Sequence, residues 1–157
     1  MKRREFVSQG QMVLGLAALA GLLPSGSFAQ GVVNAPGWNA AAFGAKNLND
    51  TVKALQGASA ELSADVVLGA PEIAENGNVV RMSLESKMLG TSQLALLVEK
   101  NPALLSGVFD VIAGCDPVFS TNVKMGQTSN VFALAKVGDK FFYAVKEVKV
   151  TLGGCGG

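Results

Sequence analysis

From residue 64 onward, apolar and polar positions alternate with a period of two over much of the chain, and that period predicts strands. Residues 79–85 show it most clearly, with Val80, Met82 and Leu84 on one side and Val79, Arg81 and Ser83 on the other. Further strands are predicted at 64–68, ended by Gly69 and Pro71, and at 93–98, ended by Asn101-Pro102. Others follow at 107–112, 118–125, 130–136 and 140–152. Glu75-Asn76-Gly77-Asn78 carries the Asn-Gly pair of a tight hairpin, and Gly138-Asp139 turns the chain into its last strand. In that last strand Phe142, Ala144, Lys146, Val148 and Val150 share one parity, and Tyr143, Val145, Glu147, Lys149 and Thr151 share the other. Neither face is cleanly apolar. Three readings stay open there: charges turned to a partner, charges turned to solvent, or a bulge that resets the period. Seven or so short strands with turn signals between them predict an all-β sandwich.

Before residue 64 the period is helical. Residues 48–55 predict a short helix capped by Asn49, with Val52 and Leu55 inward, Lys53 and Gln56 outward, and Gly57 as the stop. Residues 30–45 are rich in Gly, Ala and Asn and read as a loose leader with Trp38 as its anchor. The first 29 residues have the layout of a cleaved export signal. Lys2-Arg3-Arg4-Glu5-Phe6 opens it, an apolar run covers residues 12–23, and Ser27-Phe28-Ala29 precedes the cut, placed after Ala29. The apolar run is too short to span a bilayer, so no stable membrane insertion is expected. The order Arg3-Arg4-Glu5-Phe6 fits the twin-arginine route for folded cargo, with an ordinary secretory signal as the alternative. The chain thus divides into an export signal (1–29), a sandwich domain with its leader and helix (30–152), and a terminal arm (153–157).

Charge excludes one class of partner. Without the signal's Lys2, Arg3, Arg4 and Glu5, ten basic side chains face eleven acidic ones, which gives no basic face for nucleic acid. The chain has no histidine and two cysteines, which leaves no Ser-His-Asp or Cys-His pair and no plausible structural zinc site.

The remaining chemistry is concentrated at the end of the chain. Gly153, Gly154, Gly156 and Gly157 surround Cys155. Glycine loses more freedom on folding than any other residue, so this segment reads as a pliable arm. It is slim enough to enter a narrow opening, and five residues extend roughly 17 Å at full stretch. No basic side chain adjoins Cys155, and the nearby terminal carboxylate disfavours a thiolate, so an ordinary thiol is expected. The segment lacks the Gly-Lys-Ser/Thr ending of a phosphate-binding loop. Reactivity at this sulfur must therefore be supplied by other proteins, and covalent loading is the natural hypothesis.

Cys115, in Ala113-Gly114-Cys115-Asp116-Pro117, reads as a residue at a strand end. It is either a partly buried apolar cysteine or one half of a disulfide, to Cys155 of the same chain or to a second chain. Its likeness to a lipoprotein cleavage box is a coincidence of position. Glu72 and Glu75 form a weak carboxylate pair beside a turn. Lys146, Lys149 and Lys124 are either solvated or a modest positive zone near the arm that would retain an anionic adduct.

A terminal Gly-Gly-Cys-Gly-Gly behind a Val-Lys-Val-Thr-Leu strand and a twin-arginine-like signal resembles the SoxY family, sulfur carriers of the periplasmic thiosulfate-oxidising system. Pro71-Glu72-Ile73-Ala74-Glu75-Asn76-Gly77, Val123-Lys124-Met125-Gly126 and Lys146-Glu147-Val148-Lys149-Val150 add to the likeness. The resemblance implies an immunoglobulin-like β-sandwich, a periplasmic location and a heterodimer with SoxZ. It also implies a non-catalytic subunit without a cofactor, carrying sulfur intermediates covalently on Cys155. Transient partners would be the haem enzyme SoxXA, the dimanganese hydrolase SoxB and, in some hosts, the sulfane dehydrogenase SoxCD. Two other readings remain open: a structural sandwich tethered to a partner by a disulfide through Cys155, and a thiol-based redox enzyme. The second is weakened by the absence of a Cys-x-x-Cys pair.

Overall fold

The computed structural model describes residues 38–151, and the export signal, most of the leader and the residues from 152 onward lie outside them. Two short helices, α1 (Ala40–Gly44) and α2 (Leu48–Ala54), precede nine strands. The strands are β1 (Ser59–Leu62), β2 (Val66–Gly69), β3 (Ile73–Ala74), β4 (Val80–Ser86), β5 (Thr91–Val98), β6 (Leu105–Asp110), β7 (Val118–Val123), β8 (Ser129–Val137) and β9 (Lys140–Val150). The larger sheet runs β1-β9-β8-β5-β6, with β3 added to β9, and the smaller runs β2-β4-β7.

Between the two sheets lies one apolar core. Val66 comes from β2, Val80, Met82 and Leu84 from β4, Leu94, Leu96 and Val98 from β5, Val131, Ala133 and Ala135 from β8, and Val148 from β9. The predicted alternation of β4 holds, since Val80, Met82 and Leu84 are all buried. The immunoglobulin-like sandwich expected from the sequence is the fold. The second face of the large sheet is also apolar: Ala95, Leu97, Leu105, Leu134 and Phe141 pack under Ala42, Val52 and Leu55 of the helical segment. This second layer explains the mixed pattern of β9. Phe142, Ala144, Val148 and Val150 face the sandwich, while Phe141 and Tyr143 face the helices. The bulge is not there: β9 pairs with β8 in unbroken register from Lys140 to Val148, and the irregularities fall in β5.

Several local expectations are corrected. Part of the loose leader is helical: α1 is capped by Asn39, whose side chain accepts from Ala42 N–H at 3.0 Å. Trp38 stacks on Phe43 with ring centroids 4.2 Å apart but stays half-exposed. Helix α2 buries Val52 and Leu55 as predicted, but its cap is Asn47, which accepts from Asp50 N–H at 2.9 Å. Asn49 lies inside the helix. Nor does Gly57 stop α2 by its conformation. Gln56 takes the left-handed φ of 60°, and Gly57 N–H then donates to Val52 C=O at 2.8 Å, closing the C-terminal loop of a Schellman motif. Gly57 is required for another reason. A Cβ there would collide with the Phe141 ring and approach Val52 Cγ1 to 2.8 Å.

The Asn-Gly signal marks a turn without a hairpin. Val79 N–H donates to Asn76 C=O at 3.2 Å, yet β3 joins β9 in the large sheet while β4 belongs to the small one. Gly77 does not have positive φ, as a mirror-image hairpin turn would need. Its missing side chain matters instead because a Cβ there would strike the Met125 carbonyl and lie 2.9 Å from Val150 Cγ1.

Candidate functional site

The residue singled out by the sequence, Cys155, and its glycines Gly153, Gly154, Gly156 and Gly157 lie outside the described residues. The platform from which they depart is described. Lys149 N–H donates to Glu72 C=O at 2.9 Å, Val150 N–H to Thr128 Oγ1 at 3.0 Å, and Thr151 N–H to Ala74 C=O at 3.1 Å. Val148 is fully buried and Val150 packs against the same core. The root of the terminal segment is thus fixed on three sides, by β3, by the turn before β8 and by the core. Gly77 brings Met125 close to that root, its carbonyl accepting from Met125 N–H at 2.7 Å.

Beside the root, the outer edge of β9 is covered in two pieces. β1 runs parallel to residues Lys140 to Tyr143, and β3 runs parallel to Lys149 and Val150. The hydrogen bonds to this edge involve Tyr143, Lys149 and Thr151, so by alternation the backbone groups of Val145 and Glu147 point the same way. Among the described residues no strand covers them. A groove of about 310 Å³ opens there, lined by Glu72, Ile73, Lys146, Glu147 and Lys149. Ile73 is 57% exposed and Val145 45%. The Lys146 ammonium donates to Ala70 C=O at 2.7 Å, a neutral acceptor. Lys146 and Lys149 both line this groove, but Glu72 and Glu147 line it too, so the two cations form no net positive zone there. Lys124 does not join them; it lines a different groove with Phe43, Asn101 and Pro102. Of the weak carboxylate pair, Glu72 lines the groove and Glu75 does not.

Cys115 lies at the other end of the sandwich. It is an exposed free thiol, not a partly buried apolar one, and it sits in the loop between β6 and β7 beyond the strand end. Its N–H donates to Ile112 C=O at 3.1 Å after Gly114 turns the chain at φ 85°. The adjacent apolar pocket of about 160 Å³ includes Phe109 and Phe119, stacked with centroids 3.5 Å apart. The register places Asp110 level with Gln93, Lys136 and Phe141, nine residues before Val150. At about 3.3 Å per residue that is roughly 30 Å of strand. The four residues from Thr151 to Cys155 span at most roughly 14 Å, and a disulfide needs Cα atoms within about 7 Å. A bridge from Cys115 to Cys155 of the same chain would have to close that separation.

Among the described residues, no three His, Cys, Asp or Glu side chains gather in a metal-holding group, and no helix is long and apolar enough to cross a membrane. The groove on β9 leaves no trace along the chain, because its walls come from β3 and β9, which meet only in the folded sheet. Exposed Ile73 next to Glu72 was the one local signal.

The described residues form a two-sheet sandwich whose last strand is held by Glu72, Thr128 and Ala74 a few residues before Cys155. The chain belongs to the SoxY family: the family model described as "Sulfur oxidation protein SoxY" matches residues 52–155, Cys155 included. In structure it is similar to the sulfur carrier protein SoxY from Chlorobium limicola f thiosulfatophilum. The match has 30% identity and a TM-score of 0.61, covering 66% of this chain and 96% of that one. Weaker likenesses reach a chain from a structure of T cell specificity and activation by toxic shock syndrome toxin-1 and the PKD domain of an M14-like peptidase from a Thermoplasmatales archaeon. The first has 11% identity and a TM-score of 0.40, covering 55% of this chain and 99% of that one. The second has 14% identity and a TM-score of 0.36, covering 54% and 91%. No curated protein sequence matches the chain.

Proposed function

We propose that this protein is a covalent carrier of sulfur intermediates in thiosulfate oxidation, presenting Cys155 to enzymes that act on it in turn. The observation that carries this reading is the placement of Cys155. It falls within the SoxY match, five residues beyond the strand pinned by Glu72, Thr128 and Ala74. The Chlorobium protein, named as a sulfur carrier, supports the same assignment.

In this reading the sandwich does no chemistry on the cargo. It holds one end of a tether, and Gly153, Gly154, Gly156 and Gly157 keep the tether slim enough for a buried active site. SoxZ is the stable partner. SoxXA loads thiosulfate oxidatively, SoxB releases sulfate by hydrolysis, and SoxCD oxidises the remaining sulfane sulfur where it is present. The location is the periplasm, reached through the signal that ends at Ala29.

Intact-mass measurement on protein purified directly from its compartment tests this. Thiosulfonate or persulfide adducts on Cys155 are expected. A permanent crosslink to another chain, with no sulfur adducts, would instead establish the disulfide-tethered structural sandwich. The glycines have their own test. Gly154→Trp should leave the thermal melting curve unchanged and slow loading and unloading by the partner enzymes at least about tenfold, since the bulk lies in the tether and not in the core. Unchanged turnover with every partner would contradict the slim-tether account.

A further inference from the structure

Among the described residues, the outer edge of β7 is the least guarded edge of either sheet. β1, β2 and β3 have four residues or fewer, and β6 ends in Asp110 and pairs with β5 through an irregular register. β7 carries no charge and no proline over Val118–Val123, and it pairs with β4 without a break. Such an edge is a template for another strand. We propose that a second copy of this chain occupies it. The two β7 strands pair antiparallel about a twofold axis at Ser120 and join the small sheets of both copies into one.

The backbone decides which residues can pair. Ser86 N–H donates to Pro117 C=O at 3.0 Å, and the register with β4 continues from there without a shift. By alternation Phe119, Thr121 and Val123 also bond to β4, while Val118, Ser120 and Asn122 turn their backbone groups to the open edge. Val118 N–H is taken by Asp116 C=O at 2.8 Å, leaving its carbonyl. Two clefts border the edge and expose it to solvent. One of about 140 Å³ is lined by Arg81, Ser120, Thr121 and Asn122, and one of about 480 Å³ includes Asn122, Val123 and Lys124.

Charge selects both the occupant and the register. In a symmetric antiparallel pair, the residues turned to the edge must oppose one another. With Ser120 on the axis, Val118 faces Asn122 of the second copy, and just beyond the strand Asp116 faces Lys124 of the second copy. The twofold repeats that ion pair at the other end. Sliding the pair by two residues puts Asp116 against Gly126 or Asn122 and loses both ion pairs. Asp116, Val118, Ser120, Asn122 and Lys124 are all exposed and share one face by alternation. Asn101 Nδ2 donates to Lys124 C=O at 2.8 Å and fixes the backbone at the cation. The next strand agrees. Arg81 is level with Asn122 and Glu85 with Val118. A row across the joined sheet therefore starts at Arg81 of one copy and ends at Glu85 of the other, and only serines, Ser83 and Ser120, lie at the axis. Opposite charges meet and like charges do not, which is what cross-strand pairing favours.

Pairing here leaves β9 free. β2, at the other edge of the small sheet, is the strand packed over β9, so β9 lies on the flank away from the axis. Two copies are thus joined back to back, each with its groove on β9 open. The two Cys115 thiols lie at opposite ends of the joined edge, so the pair needs no disulfide between them.

The test uses the full chain with Cys115→Ser and Cys155→Ser, which removes every thiol. Sedimentation equilibrium should show a dimer that dissociates on dilution, and a monomer at all concentrations overturns the proposal. Ser120→Pro removes an N–H that β4 does not use. It should weaken the dimer at least about tenfold with the far-ultraviolet circular dichroism unchanged. Asp116→Lys and Lys124→Asp should each weaken it at least about fivefold, because like charges then face each other at both ends. The double swap should return the affinity to within about twofold of the parent. If the double swap stays as weak as the single ones, the register is overturned.

A second arm places one cysteine in the same thiol-free chain. Ser120→Cys puts two thiols on the axis, where facing Cα atoms are about 5.5 Å apart and within disulfide range. Val118→Cys puts them four residues apart, roughly 13 Å along the strand. Diamide takes up the two electrons and two protons released as the disulfide forms. Crosslinking of Ser120→Cys should be at least about tenfold faster, and equal rates or the reverse order overturn the pairing. If Ser120→Pro leaves association between copies unchanged and instead abolishes binding of SoxZ, the edge belongs to that subunit and the second copy is overturned as its occupant. None of these measurements involves sulfur loading, so their failure is separate from failure of the carrier reading.

Discussion

Cys155→Ser should lose all enzymatic loading. Incubated with thiosulfate and the partner enzymes, the variant should show the unmodified mass only, while Cys115→Ser should load at the parental rate. The size of the effect follows from chemistry: a serine hydroxyl cannot form the S–S bond that holds the cargo, so the loss is complete and not graded. The contrast with Cys115 follows from position. Cys115 is an exposed thiol in the β6–β7 loop, at the far end of the sandwich from the root of the tether. An adduct that persists in Cys155→Ser and disappears in Cys115→Ser would reverse the assignment.

The largest effect on stability is expected at Phe141. Its side chain is fully buried on the helix-facing side of the large sheet, against Gly57 and Val52, and under the Lys136 ammonium 5.6 Å from the ring centroid. Lys136 also donates to Leu55 C=O at 2.8 Å, so the ring lies under the contact that joins α2 to β8. Phe141→Ala would remove the largest buried side chain of this layer and leave a cavity that rigid strands cannot collapse into. A loss of about 3–5 kcal/mol in chemical denaturation is expected. Below about 1 kcal/mol, the helical layer would have to be regarded as loosely packed. Since α1 and α2 do not contribute to the core between the two sheets, the variant should keep most of its β signal by circular dichroism even as its midpoint falls.

The elements legible in the sequence were those whose partners are close along the chain or whose faces differ sharply. β4 alternates because one side meets the core and the other does not. Helix α2 showed itself through Val52 and Leu55, and β8 and β9 through the Gly138-Asp139 turn, where Gly138 adopts φ 61°. What escaped was decided at long range. β1 and β3 are short, and both pair in parallel with β9, more than seventy residues later, so no turn chemistry announces them. The Asn76-Gly77 signal misled because a tight turn can pass the chain between sheets as readily as it can pair two strands. In β9, apolar residues on both faces obscured the alternation that a one-sided strand would show. Cys115 looked apolar by type, but the surrounding Gly114, Asp116 and Pro117 are loop residues and keep it outside. The two parts of the candidate site differ in legibility: Cys155 and its four glycines are neighbours in the chain and lie outside the described residues, whereas the groove beside the end of β9 exists only once β3 has joined β9.

Under the proposed carrier function, a partner that closes on Cys155 and then withdraws would pull on β9, the strand that precedes it. That strand lies between β8 on one side and β1 and β3 on the other, all parallel or antiparallel to the line of pull. The load therefore falls on the rungs together as shear and does not peel them open one after another. Under that proposal, each disengagement should break at the grip of the visiting enzyme before the pairing of β9 with β8, β1 and β3 gives way.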